Sequence, residues 1–146
     1  MAEPEVLEAP NILEYPYSRS VGPIIGRFMT SLRDGHFCGI RTNDGRVLCP
    51  PTEYDPATGE ELHEFVDVGP GGVVTTWAWV NAPRAKHPLD RPFAWALVRL
   101  DGADTALLHV LQGVEPTAVR RGLRVRGDLA ETRRGHITDL DGFRPL

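Results

Sequence analysis

The sequence has no long hydrophobic stretch. A transmembrane helix needs about 20 consecutive apolar residues, and the uninterrupted apolar runs here, such as residues 106–108, are only a few residues long. A membrane-spanning segment is therefore excluded. The N-terminal residues are acidic and include neither a basic nor an apolar segment, so we expect no secretory signal and predict a cytoplasmic protein.

Cysteine is also scarce. Cys38 and Cys49 are too few for a disulfide framework, and in the cytosol they are expected to be reduced thiols. Their separation of 11 residues matches no standard zinc spacing. We interpret both as small, mostly buried hydrophobic residues.

The composition is that of one globular domain. The chain has 146 residues, of which 41% are hydrophobic and 25% charged, enough to close a single core. The net charge of −4 is unevenly distributed: residues 1–70 hold 12 acids and 5 bases, and residues 71–146 hold 8 acids and 11 bases. This balance argues against a protein that coats duplex nucleic acid, although a basic face in the C-terminal half remains open.

Residues 1–18 are predicted to form an extended docking arm. Pro4, Pro10 and Pro16 exclude a helix, because each removes an amide donor and restricts the preceding residue. The arm also carries the apolar side chains of Ile12, Leu13, Tyr15 and Tyr17. Exposing these side chains to water would be unfavourable, so we expect the arm to lie on another surface.

Residues 19–35 are predicted to form an amphipathic helix. Ser20 is suited to the N-cap, Pro23 to the first turn, and Gly35 to the left-handed position after the last turn. One apolar stripe is formed by Ile24, Ile25, Phe28, Met29 and Leu32. The spacing of the stripe follows the helical period.

The rest of the chain is predicted to be mainly β. In residues 36–60, Asn43-Asp44-Gly45 between two short apolar runs indicates a hairpin. In residues 61–146 we predict strands over 62–68, 73–80, 93–100, 105–111, 123–129 and 137–143, with a short helix within 115–121. The last five of these strands, with the helix between the third and fourth of the five, indicate a five-stranded Greek-key barrel, the OB-fold.

No catalytic motif is found. The chain lacks the serine nucleophile elbow, the phosphate-binding loop and the zinc-protease helix motif. The glycine-rich stretch at 69–72 leads into a strand, so we interpret it as a hairpin turn. His36 and Cys38 lie two residues apart and are a weak candidate for a catalytic dyad, whereas His109 is interpreted as an ordinary strand residue.

The tryptophans and arginines allow more than one interpretation. Trp77, Trp79 and Trp95 suit base stacking, but the strand at 73–80 is apolar on both faces, which favours coverage by a partner protein or by the helix. A basic cluster is formed by Arg120, Arg121, Arg124, Arg126, Arg133 and Arg134. It fits a nucleic-acid strip, a phosphate anchor for an acyl-CoA, or a solvated face.

The order of the segments resembles a known family, the acyl-CoA-associated OB-fold proteins with an N-terminal rubredoxin-like zinc ribbon. The resemblance covers about residues 20–146 and rests on the stretches LRDG at 32–35, VLCPP at 47–51, GPGGVVTT at 69–76, FAWALVRLDG at 93–102 and DGFRP at 141–145. It implies an N-terminal helix and a small ribbon hairpin followed by a five-stranded OB-fold barrel.

The resemblance also implies a zinc site that this chain has lost. Members of the family usually carry four zinc cysteines, and the matching positions here are Arg41, Asp44, Asp55 and Thr58. Arginine cannot ligate zinc, and none of the four is a thiol. We predict a degenerate, metal-free ribbon, held by its turn and by docking through Phe37 and Tyr54.

The function that the resemblance implies is that of an accessory, non-catalytic subunit. Such proteins accompany thiolase-fold enzymes, including lipid-transfer-protein-like aldolases of steroid side-chain degradation, which release propionyl-CoA and a steroid ketone from a β-hydroxyacyl-CoA. A heterotetramer is expected, with the CoA thioester as substrate of the complex and no cofactor on this chain. The predicted partner interface consists of Tyr15, Tyr17, Phe28, Met29, Trp77 and Trp79. Arg120, Arg121 and Arg124 are candidate contacts for CoA phosphates.

Two other functions stay open from the sequence. A single-stranded nucleic-acid-binding OB-fold protein is the main alternative, although the acidic N-terminal half counts against it. A free-standing hydrolase that uses Cys38 or His36 is the third.

Overall fold

The computed structural model describes Met1 and residues 6–146, so Pro4 of the predicted arm lies outside the described residues. Residues 6–21 form neither helix nor strand. They are followed by one helix, a three-stranded sheet and a closed five-stranded barrel. In the described part of the chain, no helix has both the length and the apolarity needed to cross a bilayer.

Helix α1 spans Gly22–Asp34, with proline in its first turn. The N-cap is Val21, not Ser20, but the Ser20 hydroxyl accepts a hydrogen bond from the Gly22 amide at 3.2 Å. At the other end Gly35 adopts φ 98° and donates to the Leu32 carbonyl. This left-handed cap ends the helix where the sequence predicted.

The small sheet has the order β2-β1-β3, with β1 Phe37–Arg41, β2 Val47–Leu48 and β3 Glu64–Val68. We predicted a strand near residues 62–68 within the OB-fold domain, and the structure places it outside the barrel. All five residues of β3 pair antiparallel with β1 instead. A pattern of alternation shows that a strand exists, but it does not identify the strand with which it pairs.

The barrel is closed in the order β4-β5-β6-β8-β7. Its strands are β4 Gly71–Val80, β5 Phe93–Leu100, β6 Leu107–Leu111, β7 Arg124–Leu129 and β8 Leu140–Pro145. The predicted mainly-β, five-stranded OB-fold is confirmed. The helix expected within 115–121 is a single 3-10 turn, Pro116–Ala118, and the start of the predicted last strand is a second one, Ile137–Asp139.

One hydrophobic core joins the helix, the small sheet and the barrel. Phe28 and Leu32 of α1, Phe37 of β1 and Phe143 of β8 belong to the same buried cluster. Strand β2 is also tied to the β5–β6 turn, because the Val47 amide donates to the Asp104 carboxylate at 2.8 Å. The small sheet and its loops, which we call the ribbon, are therefore packed onto the barrel and do not form an independent module.

Candidate functional site

The ribbon loops hold a guanidinium group between two carboxylates. The Arg46 side chain donates to Asp44 through Nε at 2.9 Å and to Asp55 through Nη2 at 2.8 Å. Hydrogen bonds from the Thr42 hydroxyl and from Arg46 lower the pKa of the Asp44 carboxyl. Asp55 is buried, with 2% of its surface exposed. We call Arg46, Asp44 and Asp55 the ribbon clasp.

The residues at the family's zinc positions do not fit a zinc ion. Asp44 and Asp55 both accept from Arg46, Arg41 donates to Glu64 at 3.1 Å, and the Thr58 hydroxyl donates to a carboxylate at 3.1 Å. Each position therefore makes a hydrogen bond within the protein, and one of them is a cation. Of the two predicted docking residues, Phe37 is in the core, whereas Tyr54 is 51% exposed and lies beside Ile24 and Leu62.

The cysteines do not form a nucleophilic dyad. Both are buried and free. Cys38 donates to the Ser31 hydroxyl at 3.4 Å, while the His36 ring lies on the surface, 3.9 Å from the Asp67 carboxylate. Burial raises the pKa of the Cys38 thiol and raises that of Cys49 to about 12. Both thiols stay protonated, as expected for core residues.

The predicted interface residues fall into three groups by exposure. Tyr15 and Tyr17 are each 71% exposed, and Trp77 is 39% exposed. Phe28 is 1% exposed in the core, so its assignment as an interface residue is wrong. Within the apolar stripe of α1, Phe28 lies on the side that packs against the core. The remaining two, Met29 and Trp79, are partly buried against the core.

The usual ligand face of an OB-fold is apolar here. Strands β5 and β6 and the two loops beside them line a groove of about 320 Å³. Trp95, Leu108 and Ile137 supply apolar surface, and Asp141 is the one charged residue among those that line it. Burial lowers the pKa of His109, which also lines the groove, so it adds no cation at neutral pH. Such a groove does not attract phosphates.

Three arginines of the predicted basic cluster, Arg121, Arg124 and Arg126, lie elsewhere, around the first half of β4, whereas Arg133 donates to the Arg33 carbonyl at the end of α1. Arg124 binds both oxygens of the Asp101 carboxylate at 2.7 Å, which lowers the pKa of Asp101. Arg121 donates to the Thr75 carbonyl at 3.3 Å. Arg99, which was not among the predicted CoA contacts, lies beside Arg121 in a groove of about 520 Å³. Only the pairing of β4 with β5 could have revealed this position.

Comparisons with known proteins find an OB-fold domain in the same part of the chain. Residues 65–129 match the family model described as "ChsH2, C-terminal OB-fold domain". The fold is similar to the solved structure "Ltp2-ChsH2(DUF35) aldolase", with a TM-score of 0.64 and 22% identity, over 88% of this chain and 98% of that chain. It is also similar to a protein with unknown function from the DUF35 family of Sulfolobus solfataricus (TM-score 0.63, 17% identity, 85% of this chain and 84% of that chain). No curated protein matches the chain.

Proposed function

We propose that this chain, whose residues 65–129 match the model of ChsH2 C-terminal OB-fold domains, is an accessory, non-catalytic subunit of a cytoplasmic acyl-CoA enzyme. Its partner is a thiolase-fold, lipid-transfer-protein-like aldolase subunit. The complex is a heterotetramer that cleaves a steroid side-chain β-hydroxyacyl-CoA to propionyl-CoA and a steroid ketone. This chain binds and activates or stabilises the partner.

The observation that carries the proposal is the extent of the fold similarity. It covers 98% of the chain in the aldolase structure and includes the helix and ribbon region as well as the barrel, since it spans 88% of this chain. Barrels alone occur in many unrelated proteins. A shared order of helix, ribbon and barrel is a more specific basis for a shared role.

The exposed aromatic residues supply a contact surface for the partner. Tyr15 and Tyr17 are among the most exposed large apolar side chains of the described chain, together with Ile12 and Leu13. Tyrosine and tryptophan are frequent anchors of protein interfaces because they bury large areas at low entropic cost. We therefore assign the arm and Trp77 to the partner interface.

Two of the three arginines remain candidates for contact with CoA phosphates. Arg124 is already neutralised by Asp101, so it has little charge to offer to a phosphate. Arg120 and Arg121 are exposed and form no ion pair within the described residues. In the proposed complex they are the residues of this chain that could meet CoA phosphates, while the chain itself binds no metal or other cofactor.

Co-expression with a thiolase-fold, lipid-transfer-protein-like protein from the same genome tests the proposal. We expect co-purification, and propionyl-CoA release from a steroid β-hydroxyacyl-CoA only when both chains are present. A Tyr15→Ser/Tyr17→Ser variant should lose the partner. The Tyr54→Ser variant is the matched control, because Tyr54 is also exposed but lies on the ribbon. A chain that stays monomeric and leaves the enzyme's activity unchanged would refute the proposal.

A further inference from the structure

Strand β4 has a free edge over residues 76–80. On one side all of this segment pairs with β5. On the other side the pairing with β7 covers only Gly71, Gly72 and Val73. Val74 still exchanges backbone hydrogen bonds with residues 122 and 123. Beyond it, no strand of the described chain pairs with this edge, so the outward-facing amides and carbonyls of 76–80 have no strand partner.

No charged residue or proline of this edge protects it from pairing with another strand, and the register irregularity of β4 lies just before it, between Val74 and Thr76. Exposed edges usually carry a lysine, a proline or an inward-pointing charge. Residues 76–80 are Thr-Trp-Ala-Trp-Val, with no charge and no proline. Thr76, Trp77 and Ala78 are all exposed. This combination of free backbone groups and apolar side chains is typical of an edge to which a partner adds a strand.

A basic groove leads into the free edge. Val73 lies opposite Arg99 on β5 and opposite Arg124 on β7, and Gly71 lies opposite Arg126. The one carboxylate bound among these arginines is that of Asp101, which pairs with Arg124. With Arg121 on the groove wall, the positive charges outnumber the negative ones. A segment that lies along β4 therefore meets arginines at one end and tryptophans at the other.

We infer that an extended, acidic segment of the partner subunit adds a strand to the free edge of β4, with its carboxylates at the Arg99 end. The inference rests on the proposed function, because it specifies where that partner binds. Backbone hydrogen bonds supply the pairing, Trp77 covers the added strand, and the charge complementarity sets its position. The arm of a second copy has similar chemistry, with four glutamates and no lysine or arginine in residues 1–18.

Hydrogen exchange in the free chain and in the co-expressed complex provides the test. We expect the amides of 76–80 that face away from β5 to exchange rapidly in the free chain, and at least about tenfold more slowly in the complex.

Ala78→Asp should weaken partner binding by about tenfold or more, and Ala118→Asp, at another exposed alanine, should not. Arg99→Glu should weaken binding in a salt-dependent way, with Arg84→Glu as its control.

The outcomes separate the two proposals. If the wild-type chain binds no thiolase-fold partner, the proposed function fails. If the partner binds the wild-type chain and Ala78→Asp equally well, and exchange at 76–80 does not change, the function stands and the strand addition is refuted. A free chain that is already a dimer, with 76–80 protected, would assign the edge to a second copy and would also overturn the inference.

Discussion

The guanidinium of Arg46 reaches the buried carboxylate of Asp55 at 2.8 Å, across the two loops of the ribbon. Asp55 has 2% of its surface exposed, so water does not stabilise its charge. The carboxylate is stabilised instead by Arg46 and by the Ala57 amide, which donates at 2.8 Å. An unpaired buried carboxylate is strongly destabilising.

Arg46→Met should therefore lower the melting temperature by several degrees, because it leaves the Asp55 carboxylate without its cation. The control is Arg41→Met, which removes only a pair with the exposed Glu64 and should have little effect. Thermal unfolding followed by circular dichroism measures both. Equal melting temperatures for the two variants would show that the clasp does not hold the ribbon.

A chelator should leave the protein folded. If the clasp holds the loops, the melting temperature in EDTA should equal that without it, and elemental analysis of the purified complex should find no stoichiometric zinc. One zinc per chain, together with unfolding by EDTA, would refute the metal-free ribbon. The wild-type protein and Arg46→Met should be compared, since metal dependence in the variant alone would assign the stabilising role to the guanidinium.

Phe28→Ala should cost about 3–5 kcal/mol of unfolding free energy, because it leaves a cavity where the helix meets the barrel. Val21→Ala, at a position that is 58% exposed, should stay within about 0.5 kcal/mol. Urea denaturation monitored by tryptophan fluorescence gives both values. A small loss of unfolding free energy in Phe28→Ala would indicate that this side chain is not part of the core and would make it an interface candidate again.

Stability should fall in alkaline solution because of Cys49. Its folded pKa, about 12, lies above the 9.0 of an exposed thiol. The contribution of the neutral thiol is therefore complete below pH 9 and is lost as the pH rises towards 12. Urea midpoints at neutral pH and within that interval should differ more for the wild-type chain than for Cys49→Ala. Parallel declines would show that another group dominates.

Single-stranded oligonucleotides should not bind at low salt to the β5–β6 face, since Asp141 is the one charged residue that lines its groove. Fluorescence anisotropy with a labelled oligonucleotide measures this, and Trp95→Ala tests the face directly. Salt-dependent binding that Trp95→Ala abolishes would support the nucleic-acid alternative.

The elements with local signals could be predicted from the sequence. Pro23 and Gly35 mark the two ends of α1 within a few residues, and Asn43-Asp44-Gly45 marks the ribbon hairpin. The barrel followed from five strands and their turns. These features depend on neighbours in the chain, whose conformational preferences are set by the residues themselves.

The features that depend on distant pairing could not be predicted. The alternation of residues in Glu64–Val68 fits a strand of the barrel and a strand of the ribbon equally well. Only its pairing with β1 places it in the ribbon. The apolar stripe of α1 is wide enough that Phe28 could face the core or a partner. The partners of Arg46 and the position of Arg99 beside Arg121 likewise follow from loops and registers that no spacing in the sequence reveals.

The attachment of β2 to the β5–β6 turn limits how this protein can be divided. Asp104 and Thr105 hold the backbone of Val47 and Cys49, and β3 continues through Gly69 into β4. A fragment cut at residue 61 would keep β3 but lose β1, leaving the new N-terminal strand unsatisfied and prone to aggregate. Domain swaps with relatives should exchange the two parts together.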